Sequence, residues 1–266
     1  MNPVQRTLPA LEFTKSPLII ALAQLRMTPI LSLESYIPKL QDLLRTRDYP
    51  RLLTRKMKTT QQDAMGTVNV VEATDWVFAD KAGQYSLVVG EQSLALVTSA
   101  YTTFDDFAAR MEALLQLVHE VVKISGVERL GLRYVDLIEP TAEKPLSYFL
   151  ESCVLGLSLE ELGKRITSFS QTVIETSPNR KLVVRSSERP GGLIIPPDLL
   201  SLQLKLRKPN TLEQPFGVLD LDHYAEYPEP EDYDTACVIE NLGELHDVVD
   251  QAFRKATTKE AKLDWK

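Results

Sequence analysis

The sequence contains few of the side chains that most often carry metal or covalent chemistry, with two cysteines and three histidines in 266 residues. It also lacks an apolar run near the roughly 20 residues that a transmembrane helix needs. The N-terminal residues do not follow the basic, apolar and small-residue order of a signal peptide, so we expect a cytoplasmic protein. Cys153 and Cys237 occur in apolar-looking segments, which predicts small core residues rather than a disulfide.

Sequence motifs of catalysis and cofactor binding are equally scarce. The chain has no Gly-x-Ser-x-Gly nucleophile motif, no Walker-type phosphate loop and no glycine-rich dinucleotide fingerprint. His119, His223 and His246 do not have the spacing of zinc ligands. We therefore predict no catalytic residue, no metal site and no cofactor, and the sequence favours a protein that is not an enzyme.

Charge is unevenly distributed along the chain. The net charge of −7 argues against a general nucleic-acid-binding protein. Residues 1–60 contain ten Lys and Arg against four Asp and Glu, whereas residues 211–266 contain five against fourteen. Two interpretations stay open: the ends neutralise each other within the fold or across a dimer, or they form a basic and an acidic face for partners.

Hydrophobic periodicity predicts a mixed architecture in the first half. Strands are expected at 18–26, 76–80, 85–90, 93–100 and 130–138, and a helix at 33–44. Thr103 is a good N-cap for a long helix, because apolar residues follow it at three- and four-residue spacing. The basic and polar stretch 45–66 is expected to be loop or short helix.

The second half repeats this order loosely. Alternation predicts strands at 167–175, 181–185 and 216–227, followed by a last helix with one apolar face. We predict an α+β fold in which antiparallel sheets are each packed by a long helix, with two related β-rich lobes as one option. The lobes would be residues 1–145 and 146–266, or both halves would form one continuous domain.

Two pairs of charged residues are the best candidates for ligand binding. Asp220 and Asp222 share one strand face and could hold Mg²⁺ or Mn²⁺, although a solvated strand face is the simpler interpretation. Arg129 and Arg133 also share a face and could grip a phosphate or carboxylate. The alternative is structural, because these arginines and aspartates could pair with each other across the sheet.

Two further segments are candidates for binding a partner. The first is a Pro-broken run of acids and tyrosines, expected to be an exposed loop, with the candidate residues Tyr227, Glu229, Glu231, Asp232, Tyr233 and Asp234. The second is basic and could contact nucleic-acid phosphates, although a solvated surface is the simpler interpretation. Its residues are Arg45, Arg47, Arg51, Arg55, Lys56 and Lys58.

A set of short motifs spread over most of the chain carries a family resemblance. They are Pro17-Leu-Ile, Gln24-Leu-Arg26, Trp76-Val-Phe78, Tyr101-Thr-Thr-Phe104, Arg129-Leu-Gly-Leu-Arg-Tyr134, Leu219-Asp-Leu-Asp222 and Leu245-His246 with Phe253. In this order they resemble a sporadically distributed, functionally uncharacterised family of prokaryotic cytoplasmic proteins of about this length. The resemblance implies a full-length family member and brings no catalytic residues with it. Such a patchy distribution suggests an accessory role, for example in genome defence or toxin neutralisation.

The sequence therefore leads to two functional hypotheses. The first is a non-catalytic interaction or regulatory protein that binds a protein partner or its own copy. This hypothesis involves no membrane binding. The second is an enzyme or sensor that handles phosphates or nucleotides through Arg129, Arg133, Asp220 and Asp222. The second hypothesis requires these four side chains to converge on an open cavity.

Overall fold

The computed structural model describes residues 13–62, 68–157, 161–202 and 204–266, with the side chains of these ranges except 57–62 and 68–72. Groups of strands are separated by helices along the chain. In chain order they are β1 (Leu18–Met27), α1 (Leu33–Leu44), β2 (Arg51–Gln62), β3 (Val68–Ala79), β4 (Tyr85–Gly90), β5 (Ser93–Thr98), α2 (Phe104–Val122), β6 (Gly126–Ile138), α3 (Leu146–Phe149), α4 (Ser152–Leu155), β7 (Ser168–Ser177), β8 (Arg180–Arg189), β9 (Gly192–Leu193), a 3-10 helix (Pro197–Leu202), β10 (Thr211–Leu212), β11 (Phe216–Asp232), α5 (Thr235–Ala256) and α6 (Lys259–Asp264).

Nine of these strands form one antiparallel sheet in the order β2-β3-β4-β5-β1-β6-β11-β8-β7. Strands β1 to β6 come from the first half of the chain, and β11, β8 and β7 come from the second. The two halves meet where β6 pairs with β11. This single sheet takes strands from both halves of the chain. The predicted division into two related lobes stays a prediction.

One side of the sheet, which we call the helix face, is packed against α1, α2 and α5. Alternate residues of the strands point towards it, including Leu25 of β1, Leu132 of β6 and Leu221 of β11, and all three are fully buried. The apolar stripe of α2 belongs to the same core. Thr103 caps α2 as predicted, because its side chain accepts a hydrogen bond from the Asp106 amide.

The other side of the sheet, which we call the open face, is only partly covered. The segment that contains the 3-10 helix crosses it, and Ile194 and Leu199 of this segment pack in one cluster with Val97 and Val135. The rest of the open face, on β6, β11, β8 and β7, carries charged and polar side chains such as Arg133. The candidate site lies there.

The predicted mixed α+β class is confirmed, as are α1, α2, β4 and the long C-terminal helix. The prediction of loop or short helix for 45–66 was wrong over most of its length, because residues 51–62 form edge strand β2. An edge strand needs little apolar content, since one edge and part of both faces contact water. For that reason the polar composition of residues 51–62 did not indicate a strand.

The expectation of two buried cysteines was also wrong. Cys153 and Cys237 are both exposed and both free. Cys153 lies in the four-residue helix α4, and Cys237 lies in the first turn of α5, outside the buried stripe of that helix. Among the helices that the structure describes, none is long and apolar enough to cross a membrane.

Candidate functional site

A buried arginine organises the charged part of the open face. Arg133 of β6 forms a bidentate ion pair with Asp220 of β11, with Nε to Oδ1 at 2.8 Å and Nη2 to Oδ2 at 2.7 Å. Its Nη1 also donates to Asp198 at the start of the 3-10 helix. Burial alone would lower the pKa of Arg133, but the hydrogen bonds to both carboxylates outweigh it and raise that pKa. Arg133 is therefore fully engaged within the protein.

The second predicted pair is looser. An Arg129 nitrogen lies 3.9 Å from a carboxylate oxygen of Asp222, and the Arg129 guanidinium lies 4.2 Å from the centre of the Tyr224 ring. Burial lowers the pKa of Arg129 and raises the pKa of Asp222. Both shifts indicate that the charges are only partly compensated.

The structure brings the four predicted side chains together on one face, but mostly as ion pairs with each other. Arg133 and Asp220 line an open cavity, whereas Arg129 and Asp222 are not part of its lining. The four do not converge on that cavity as the phosphate-handling hypothesis required. Among the described residues, no group of three or more His, Cys, Asp or Glu could hold a metal ion. The ligand-binding role of the four residues stays a prediction.

The cavity itself has a volume of about 230 Å³ and lies between β8, β11 and the segment at Pro196–Asp198. Its walls include Arg185 and Arg189, which share the open face of β8 with Ser187. Phe169 of β7 stands opposite Ser187 and also lines the cavity. Sequence reasoning missed these residues, although the Arg-x-Ser-x-Arg alternation on one strand face was visible.

A second missed residue is Asp136, on the strand that carries Arg133. Its side chain is almost completely buried, and its Oδ2 atom has no hydrogen-bond partner among the described residues. Burial raises the pKa of Asp136 to about 8, and the negative charge of Asp220 adds to this shift. Asp136 is therefore a neutral carboxylic acid at neutral pH. The available signal was alternation, which puts Asp136 on the same face of β6 as the buried Leu132 and Tyr134.

The three histidines pack against neighbouring groups. His223 is fully buried, with Nδ1 at 3.0 Å from the Leu245 carbonyl oxygen and Nε2 at 2.8 Å from the Thr176 hydroxyl. Burial lowers the pKa of His223, so this side chain is neutral. His246 stacks on Phe104 with ring centres 4.1 Å apart. His119 stacks on a tyrosine of the acidic segment.

The acidic segment was predicted to be an exposed loop, but most of it is the end of β11, which continues to Asp232. A register shift between Glu226 and Glu231 accommodates its two prolines. Tyr227 and Tyr233 pack against the helix-face core. Asp234 caps α5 by accepting a hydrogen bond from the Cys237 amide.

Three of the six predicted partner-binding side chains are exposed and neither pack on the core nor cap a helix. They are Glu229, Glu231 and Asp232. They form a small acidic surface at one end of β11. Binding of a partner there stays a prediction.

The basic segment is divided between two elements. Arg45 and Arg47 follow α1, whereas Arg51, Arg55 and Lys56 lie on β2. Arg55 forms an ion pair with Asp75 of the neighbouring strand and also donates to Ser201. The side chain of Lys58 lies outside the described residues. Nucleic-acid binding by this segment stays a prediction.

No protein-family model matches the chain, and no curated protein matches it in sequence. The family resemblance carried by the short motifs therefore stays an expectation. Any functional conclusion must come from the geometry of the chain.

The buried acid generates a prediction about pH. The pKa of Asp136 is about 8 in the folded state and near 3.8 without burial, so between these values the folded state holds one more proton than the unfolded state. The free energy of unfolding therefore falls as pH rises from about 4 to about 8. We expect the stability of Asp136→Asn relative to the wild type to rise between pH 5 and pH 8, by about 2 kcal/mol or more.

Urea unfolding at several pH values measures this difference. Asp232→Asn is the matched control, because the same change at an exposed position should leave the pH profile parallel to that of the wild type. A parallel profile for Asp136→Asn would contradict the assignment of Asp136 as a neutral buried acid.

The Arg133–Asp220 pair generates a second prediction. Asp220→Leu leaves Arg133 buried with only Asp198 as its close partner, and we expect a loss of about 3 kcal/mol in the free energy of unfolding. Adding Arg133→Met should recover much of that loss, because the remaining buried charge is then removed. The control is Asp42→Asn, in the exposed pair with Arg45, with an expected change below about 0.5 kcal/mol. A double variant less stable than Asp220→Leu would contradict this account.

Proposed function

We propose that the chain is a non-catalytic interaction protein that binds a second copy of itself through edge strand β7. In the resulting homodimer, the β7 strands of the two copies pair in antiparallel orientation and join their sheets. The observation that carries this proposal is an edge strand with a single charge and three exposed apolar side chains, on a sheet whose other edge carries several charges. Neither a catalytic group nor a cofactor is needed for this activity.

The two edges of the sheet differ in their protection against pairing. Within the described residues, β2 and β7 are the terminal strands of the sheet. β2 carries Arg51, Arg55 and Lys56, and charged residues of this kind discourage a further strand from adding to an edge. β7 has the sequence Ser-Phe-Ser-Gln-Thr-Val-Ile-Glu-Thr-Ser, with Glu175 as its single charge and no proline. Its row of backbone groups therefore remains suitable for pairing.

Exposed apolar side chains concentrate around the same strand. Eleven large hydrophobic residues are exposed in the part of the chain that the structure describes, and six of them fall between positions 157 and 174. These six are Leu157, Leu162, Ile166, Phe169, Val173 and Ile174. Gly156 lies close to Ser170 of β7, which places the first of them beside the strand. Such a concentration is typical of an interaction surface.

The pattern of β7 fits pairing with its own copy. A two-fold axis perpendicular to the sheet keeps the open faces of both copies on the same side. Each open-face residue of β7 must therefore lie opposite an open-face residue of the second β7. With the axis at Val173, Val173 faces Val173 of the second copy and Ile174 faces Thr172. Glu175 then faces Gln171, which accepts a hydrogen bond from Arg185. The single acid of each β7 is therefore brought towards a basic group of the other copy.

The other partner surface considered from the sequence, the acidic end of β11, does not belong to this interface. Its exposed residues are Glu229, Glu231 and Asp232 of β11. In the sheet, β8 separates β11 from β7. A like-charged surface repels its own copy, so this region is better suited to a different, basic protein.

The first test is the oligomeric state of charged variants. Val173→Lys places two like charges at the two-fold axis, so we expect the dimer to dissociate into monomers at micromolar protein concentration. Sedimentation velocity measures this change, and the thermal midpoint of the isolated monomer shows whether the fold persists. Leu52→Lys, a matched change on edge strand β2, should leave the dimer intact. A wild-type protein that is monomeric at these concentrations would overturn the proposal.

The second test fixes the register. In a background with Cys153→Ser and Cys237→Ser, a single Val173→Cys change places two thiols opposite each other, within the Cα separation that a disulfide spans. We expect mild oxidation to convert this variant into a covalent dimer. Leu52→Cys in the same background is the control and should remain monomeric on a denaturing gel. Equal crosslinking of both variants would show random collision and contradict the register.

A further inference from the structure

The cavity beside β8 is lined by arginines whose N–H donors are not all used by partners within the described residues. Arg189 donates through Nη1 to the Leu193 carbonyl oxygen at 2.8 Å, which is its hydrogen bond within the described residues. A guanidinium has five N–H donors, so most of those on Arg189 are left for another acceptor. Arg189 also lines the cavity.

Arg185 is placed in a similar way. Its Nε donates to Gln171 at 3.0 Å, and its Nη1 lies 3.5 Å from Asp220 and 4.0 Å from Asp222. These carboxylate distances are longer than those of a close ion pair. Since Asp220 is already held in bidentate geometry by Arg133, Arg185 retains much of its capacity to bind an anion.

The charge of the lining supports the same conclusion. Three arginines line the cavity against two aspartates, Asp198 and Asp220. Both aspartates are bound to Arg133, which leaves the charges of the other two arginines facing the cavity with no dedicated carboxylate on its lining. A negatively charged ligand would therefore enter a site with an excess of positive charge.

The opposite wall is apolar and suits a flat group. Phe169 is 68% exposed on β7, which is unusual for a phenyl ring without a covering element. Pro196 and Pro197 supply a second apolar surface, and Val218 lies on the sheet beneath. The cavity volume of about 230 Å³ lies below the range of drug-sized ligand pockets, so its ligand must be small.

We propose that this cavity binds a small organic anion, a carboxylate or phosphate monoester with a flat apolar group. The anionic group contacts Arg185 and Arg189, and the flat group lies between Phe169 and the two prolines. Arg133 joins Asp220 of the sheet to Asp198 of the covering segment. All of these residues belong to one copy of the chain, so this ligand site does not require the β7 dimer.

Phenyl phosphate and inorganic phosphate are suitable probes, because they share the anionic group and differ in the ring. Titration calorimetry of the full chain should show one site for phenyl phosphate and binding of phosphate that is weaker by about threefold to tenfold. Benzoate separates a preference for phosphate from one for carboxylate. The same titrations with monomeric Val173→Lys should still show saturable binding of phenyl phosphate, which separates this site from the dimer interface.

Three variants and one control locate the site. Arg185→Gln and Arg189→Gln should each weaken phenyl phosphate binding by about tenfold or more. Phe169→Ala should abolish the preference for phenyl phosphate over phosphate while leaving the affinity for phosphate unchanged. Lys181→Gln removes a charge from the same face of β8 outside the cavity and should change neither affinity. Thermal midpoints establish that each variant is folded.

Two results would overturn the proposal. One is the absence of saturable binding of any of the three probes by the wild-type protein. The other is binding that survives in both arginine variants, because it would place the anion elsewhere on the surface. Because the two arginines are changed separately, the failure of one variant to fold leaves the second as a complete test.

Discussion

The pairing of β6 with β11 is the interaction on which the rest of the structure depends. It joins strands from the two halves of the chain, and everything beyond it in the sheet, β8 and β7, is attached through β11. It also sets Arg133 beside Asp220 on one face and Leu132 and Leu221 on the other. A shift of this register by one residue would turn the apolar face of one strand towards the charged face of the other.

The sequence could predict the elements whose signal is local. The stripe of α2 and its Thr103 cap, and the apolar face of α5, follow from side chains a few residues apart. β2 could not be predicted, because an edge strand can form from polar residues once β3 supplies the ladder of hydrogen bonds. Similarly, the acidic segment has the composition of a loop but continues as a strand beside the start of β6.

The candidate site was predictable in part for the same reason. Alternation alone places Arg129 and Arg133 on one face, and it suggests pairing with the aspartates of another strand. Which aspartate each arginine meets depends on register: Asp222 is directly opposite Arg133, yet the bidentate pair forms with Asp220. The cavity depends on a segment distant in sequence that crosses the open face, and no pattern within β8 indicates where that segment lies.

Neither face of the sheet is completely covered at the β7 end. On the helix face, Leu182 of β8 is buried in the core that includes α5, but Ile174 of β7 stays exposed. On the open face, the covering segment reaches the cavity but leaves Val173 largely exposed to solvent. Both the proposed self-association and the proposed anion site arise from this incomplete coverage, and Phe169 contributes to both.

Asp136 links folding of this protein to proton exchange with the solvent. Because its pKa is about 8 when buried, Asp136 takes up nearly one proton when the chain folds at neutral pH. That proton must come from the buffer, so the heat released on folding includes the ionisation enthalpy of the buffer chosen. The apparent enthalpy of folding will therefore differ between phosphate and Tris, although the contacts formed in the two buffers are the same.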